Sequence, residues 1–174
     1  MEKPKKNNFK TIHFNSAIHL KETVLDKELV SLLESIKLKK NSMNETDFFD
    51  RDSNYQSNTS LVYKYVEPLI HEIINCKFNL RNWWIQKYKK ENYHDLHIHG
   101  TLPSWFSFIL YLKATPKSAK TYFFGPGHPM IPWERFEVQP KPGLFILFPS
   151  YIPHSVGYNK DTKRLILSGN IEVI

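Results

Sequence analysis

From Asn82 to Ile174 the chain is a train of short apolar runs, and this restricts its fold more than any other feature. The runs are NWWIQKY, SWFSFILYL, KTYFFG, RFEVQP, GLFILFPS and RLILSGNIEVI. They have the length and the aromatic and β-branched content of strands. FGPGHPMIP, PKPG and GYNKDTK separate them. Proline lacks an amide hydrogen and glycine tolerates unusual backbone angles, so such stretches end a strand. Several short strands at close spacing specify an antiparallel sandwich or barrel.

The first 80 residues read differently. FKTIHFNSAIHLKETV begins like a strand. Asp26 then stands as an N-cap before KELVSLLESIKL, in which Leu29, Leu32, Leu33 and Ile36 share one helical face. KKNSMNETDFFDRDSNYQSN is polar and reads as a loop. In TSLVYKYVEPLIHEIINCKF, Leu61, Val62, Tyr65, Leu69, Ile73 and Ile74 recur at helical spacing, and Pro68 is expected to kink or split that helix. The expectation is one domain over residues 1–174, α+β but mainly β. Helical support over residues 1–80 packs outside a jelly-roll core over residues 82–174.

Composition narrows the function classes. With 41% hydrophobic residues the chain has the material for a core, which argues against a disordered segment. No apolar run is long enough to span a membrane as a helix. MEKPKKNNFK is charged with no apolar stretch behind it, so no secretory signal is expected. The single cysteine, Cys76, excludes an internal disulfide, reads as an inert thiol, and fits a reducing cytoplasm, the expected location. The net charge of +7 comes from scattered lysines without an aromatic-plus-basic motif. A solvated surface is the reading, and neither membrane nor nucleic acid is an expected partner.

Chemistry concentrates at DLHIHGTLPSWFSFILYL. Residues i and i+2 of a strand project to the same side, roughly 6.5–7 Å apart, so His97 and His99 can converge on one metal ion. His154 follows the strand GLFILFPS, and Arg164 stands ten residues further on. An arginine there can offer a two-pronged grip to a carboxylate. Asp95, two residues before His97, is an alternative ligand or an acceptor for an imidazole N–H. His94 and His128 lie near turns and read as solvent-exposed.

This H-x-H, His, Arg series resembles the iron(II)/2-oxoglutarate-dependent oxygenases, in particular a branch found in bacterial and phage genomes. The resemblance covers residues 82–174. It rests on Trp84-Ile85-Gln86-Lys87-Tyr88, His97-Ile98-His99, the run Ser107 to Leu112, Gly143 to Ser150, His154-Ser155-Val156 and Arg164 through Asn170. It implies a double-stranded β-helix with Fe(II) held at one end by His97, His99 and His154. It implies 2-oxoglutarate bound by Arg164, Tyr111 and Ser168, and hydroxylation of a small-molecule or peptidyl substrate with O2. Trp84, Tyr88, Trp105 and Tyr122 are candidates for the substrate pocket.

One departure stands out: His99 occupies the position where the usual motif has a carboxylate. Three imidazoles leave the ion its full charge and still leave coordination positions open. A cupin-type three-histidine dioxygenase working without 2-oxoglutarate is therefore an alternative. Gly-Thr-Leu-Pro-Ser-Trp after the H-x-H lacks the glutamate that the cupin pattern places there. A non-enzymatic jelly-roll binding module is the other alternative.

Overall fold

The computed structural model describes residues 17–48, 55–125 and 135–174, with backbone only for 55–57. The strand-like start expected over residues 9–16 and His128, expected near a turn, lie outside the described residues. In chain order the elements are β1 (His19–Glu22), α1 (Lys27–Ser35), β2 (Lys39–Lys40), β3 (Glu45–Thr46), α2 (Tyr55–Ile74), β4 (Phe78–Tyr88), β5 (His94–His97), β6 (Trp105–Lys113), β7 (Thr121–Phe124), β8 (Arg135–Val138), β9 (Leu144–Pro149), β10 (His154–Val156) and β11 (Arg164–Val173).

The helices follow local rules. Asp26 is the N-cap of α1, its carboxylate accepting from the Leu29 amide at 2.8 Å, which satisfies one of the otherwise orphaned first-turn donors. Leu29 and Leu33 bury the inner face. In α2 the inner face is Val62, Val66, Leu69 and Ile70, with Leu61 exposed, and the helix runs through Pro68 without splitting. No helix among the described residues is long and apolar enough to cross a membrane.

The strands form two antiparallel sheets. One has seven strands in the order β1-β9-β6-β11-β4-β3-β2, the other four in the order β5-β10-β7-β8. This is the mainly β, double-stranded β-helix architecture expected. Strand side chains alternate between faces, and the larger sheet buries both. Trp83, Ile85, Phe108, Leu110, Leu112, Phe145, Leu147, Leu165, Leu167 and Ile171 pack with the helices. Their alternates Tyr88, Ile109, Tyr111, Leu144, Ile146, Phe148 and Ile166 pack with Phe123, Val138 and Val156 of the smaller sheet. Burial on both faces explains why β6, β9 and β11 read as unbroken apolar runs, whereas β4, exposed or half-buried over much of its first half, reads as alternating. Arg164, Ser168 and Asn170 are the polar members of the inward set on β11, and all are buried.

The segment read as a loop after α1 contains a small hairpin. Asn41 turns it by accepting the amides of Met43 and Asn44 at 2.7 and 2.8 Å. β3 then pairs with β4, Thr46 opposite Gln86. Asp47 accepts the Ile85 amide at 2.7 Å, and Phe48 meets the Trp84 ring edge-on at 5.1 Å between centroids. These contacts cover β4 where it carries the cavity residues described below.

Gly169 marks the tightest approach in the sheet. A Cβ there would lie 2.5 Å from the Phe108 ring and 2.7 Å from the Asn82 carbonyl oxygen, and the second of these is backbone and cannot swing aside. Gly169→Ala is expected to destabilise the fold by about 1–3 kcal/mol through overpacking. Urea denaturation checks this; an unchanged midpoint contradicts it.

Candidate metal centre

The site is built where β5 meets β10. His154 pairs with His97, and Val156 pairs with His94. Two steps along β10 therefore match three along β5, which is a β-bulge. The bulge breaks strict alternation: His94 and His97 are both partly buried, while Asp95 and Leu96 between them are exposed. Asp95 does not share the face of His97, as i, i+2 spacing alone suggests, and its carboxylate is not part of the cluster. Nor is His94 an exposed turn residue. It stacks on His97 with ring centroids 4.0 Å apart.

His99 lies just past β5. Its amide donates to the Ser150 carbonyl at 2.9 Å, which ties it to the turn leading into β10. One ring nitrogen each from His97, His99 and His154 lies within 4.8 Å of the other two. His97 Nδ1 faces the Asp95 carbonyl at 2.7 Å, and His154 Nδ1 faces the Ile152 carbonyl at 3.1 Å. A carbonyl only accepts, so both Nδ1 atoms carry the proton and both Nε2 lone pairs are left for a metal. The Nε2 atoms of His99 and His154 are 3.2 Å apart. Adjacent ligands at about 2.1 Å from one ion stand roughly 3 Å apart, so this spacing fits shared coordination.

The imidazoles are held neutral, as ligands must be. Burial, followed by the neighbouring rings, pushes the pKa of His94 down to about 3. Burial and then His97 push His99 down to about 3 as well. Burial also lowers His97, partly offset by Asp95, and holds His154 well below the usual range.

The other end of the site is Arg164, fully buried at the start of β11. Its Nε donates to the Ala119 carbonyl at 3.2 Å and its Nη2 to Thr121 Oγ1 at 2.9 Å. The guanidinium carbon lies 4.2 Å from the Tyr88 ring centroid and 5.4 Å from that of Tyr111. Its Nη1 is buried and has no hydrogen-bond partner. Among the described residues no carboxylate pairs with it. A buried charge in this condition calls for an anion.

Arg164 and the three histidines line one cavity, together with Trp84, Gln86, Tyr88, His94 and Ser168. Its free volume is about 20 Å³, so a dicarboxylate enters only if the lining side chains part. Tyr111 stands behind this wall, its hydroxyl 2.6 Å from Thr121 Oγ1. Trp105 packs on Gly100, outside the cavity lining. Tyr122 lies on the opposite face of β7, under Arg135 at 4.5 Å and against Gly157. Its neighbour Thr121 points inward and joins the arginine socket instead. Strand alternation through Phe123, a core residue, was the signal for Thr121.

The donor set fits Fe(II), and the unpartnered Nη1 of the buried guanidinium fits a carboxylate such as that of 2-oxoglutarate. Comparison with known proteins points to the same two cofactors. A family model described as "Putative 2OG-Fe(II) oxygenase" matches residues 82–170. No curated protein matches the chain. Among solved structures, a prolyl-4-hydroxylase from Pseudomonas putida is similar at 16% identity and TM-score 0.61, over 91% of this chain and 93% of that one. HygX from Streptomyces hygroscopicus, with nickel and 2-oxoglutarate bound, matches at 12% identity and TM-score 0.66, over 90% and 83%. The carbocyclase SnoK of nogalamycin biosynthesis matches at 11% identity and TM-score 0.70, over 90% and 79%. At these identities the structural matches speak for the fold alone.

The depressed histidine pKa values fix the sign of a pH effect. Unfolded imidazoles take up protons below their ordinary value of 6.5, whereas His94 and His99 in the folded chain resist until about 3. The metal-free protein is therefore most stable above pH 6.5 and loses stability as the pH falls from there toward 3, by up to about 1.4 kcal/mol per pH unit per histidine. Thermal melts between pH 7.5 and 4.5 test this, and a melting temperature that rises on acidification contradicts it.

Proposed function

This chain belongs to the 2OG-Fe(II) oxygenase family, and we propose that within it the protein is a hydroxylase acting on a C–H bond of a small-molecule or peptidyl substrate. The observation that carries the reading is the pairing in one cavity of three neutral imidazoles and a buried guanidinium with a free N–H. A cupin-type dioxygenase without 2-oxoglutarate leaves that guanidinium with no anion to meet.

In this reading His97, His99 and His154 hold the iron through Nε2. The Asp95 and Ile152 carbonyls fix the orientation and tautomer of two of them. Arg164 takes the far carboxylate of the keto acid. Thr121 and Tyr111 hold the guanidinium in place. Ser168, four residues along β11 and on the same face, lines the cavity toward the metal end. Trp84 packs over His99, ring centroids 5.3 Å apart, and closes one side against water. Iron(II), 2-oxoglutarate and O2 together supply the oxidation, the keto acid leaving as succinate and carbon dioxide. Hydroxylation asks least of the protein, which needs only to hold the reacting carbon at the metal. Epimerisation or ring closure needs a further hydrogen donor or a second reacting centre.

His97→Ala and His154→Ala are each expected to abolish Fe(II) binding, measured by equilibrium dialysis, along with succinate formation. Retained 2-oxoglutarate decarboxylation in either variant removes that residue from the ligand set. Arg164→Ala is expected to keep the metal while raising the 2-oxoglutarate requirement at least about tenfold, the scale of a lost charge-assisted hydrogen bond. An unchanged requirement removes Arg164 from that role.

A further inference from the structure

The motif residues Ser107, Ser150 and Asn170 do not line the cavity, yet all three are buried. Asn82, Asn170 and Ser107 stand side by side on β4, β11 and β6, and Ser150 closes the row just past β9. Asn170 Nδ2 donates to Asn82 Oδ1 at 2.8 Å, which turns Asn170 Oδ1 toward Ser107. Ser107 gives its one proton to that oxygen at 2.8 Å. The 2.8 Å contact between the Ser107 and Ser150 hydroxyls then takes its proton from Ser150. The row therefore has one direction, from Ser150 through Ser107 and Asn170 to Asn82. Hydrogen bonds in such a chain polarise one another.

The Ser150 end bears on the metal cluster. His99 lies in a bend beyond β5, where no strand ladder fixes it. The Nδ1 atoms of His97 and His154 face carbonyls, and among the described residues no carbonyl faces that of His99. Two successive amides of the bend instead converge on one atom. The Ser150 carbonyl accepts from His99 at 2.9 Å and from Gly100 at 3.3 Å. The Ser150 amide in turn donates to the Trp105 carbonyl at 3.0 Å. Apolar side chains of similar shape in the row would cost the sheet little, so what the polar row adds is a fixed direction for Ser150. Resting on the reading of the three histidines as metal ligands, we propose that Ser107, Asn170 and Ser150 are positioning residues for His99. The row locks Ser150, Ser150 locks the bend, and the bend sets where the His99 ring meets the ion.

The test reads the bend with and without metal. In the metal-free Ser107→Ala variant, amide hydrogen exchange followed by NMR is expected to be about tenfold faster at His99 and Gly100 than in the wild type, with α2 amides within about twofold. Cobalt(II), titrated by its visible absorption as a probe of the three-histidine site, is expected to bind that variant about tenfold more weakly. Asp26→Ala removes the α1 cap and is the control for general loss of stability; it is expected to change neither readout. Unchanged exchange at His99 and Gly100 in Ser107→Ala overturns the proposal. So does unchanged cobalt affinity, or an equal loss on either readout in Asp26→Ala. Should Ser107→Ala fail to fold, Ser150→Ala removes only the first donor of the row and leaves the Ser107–Asn170 bond in place. The same losses are expected there, and their absence overturns the proposal. A wild-type protein that binds no cobalt sinks the metal reading and this inference with it, whereas wild-type binding that both serine variants retain sinks the inference alone.

Discussion

Burying the Arg164 guanidinium removes a permanent positive charge from water, and that transfer is costly unless something in the fold compensates. Here the compensation is partial. Ring faces on two sides, one carbonyl and one hydroxyl satisfy the group except at Nη1. Much of the surrounding architecture serves that socket. Asn159 is buried in the turn before β11. It accepts the Ala119 amide and donates to the Tyr88 carbonyl, so a single side chain ties together two walls of the arginine's surroundings. The residual polarity then faces a cavity whose other end is a group of neutral imidazoles. In the proposed reading a divalent cation satisfies the imidazole end, and the far carboxylate of a keto acid satisfies the arginine end.

The bulge between β5 and β10 does comparable work at the metal end. By matching three residues against two it turns His94 as well as His97 inward and sends Asp95 out. The site thereby gains a fourth ring, while the Asp95 carboxylate stays outside the cluster and acts on His97 only through its charge. Each added imidazole disfavours protonation of the others, because a second positive charge in a buried cluster is poorly screened. Neutral histidines of this kind suit a divalent cation, and their shared depression of pKa follows from their packing.

Much of this was legible in the sequence. Asp26 is a cap with a cap's neighbours. The apolar runs of β6, β9 and β11 are unmistakable because both faces are buried. H-x-H, His154 and Arg164 stood out by spacing, and the structure brings all four to one cavity. What escaped notice was short or polar. β10 is three residues long, so no apolar periodicity announces it, and β5, read from the H-x-H spacing alone, stops at His97 short of His99. The β2–β3 hairpin looks like a loop because asparagines bracket its turn and its strands are two residues each. Thr121 is an ordinary strand threonine until Arg164 is placed beside it.

The amino-acid sequence alone determined the jelly-roll class, the capped first helix and the residue types available for a metal and a dicarboxylate, because these follow from local periodicity and from side-chain chemistry. Only the tertiary structure decided which neighbours face inward. A one-residue slip at a bulge reverses the direction of every side chain beyond it. It exchanged Asp95 for His94 beside His97. The way β7 packs likewise turned Thr121, and not Tyr122, toward the arginine. Facing depends on pairing between strands distant in the chain, and no local window of sequence contains that information.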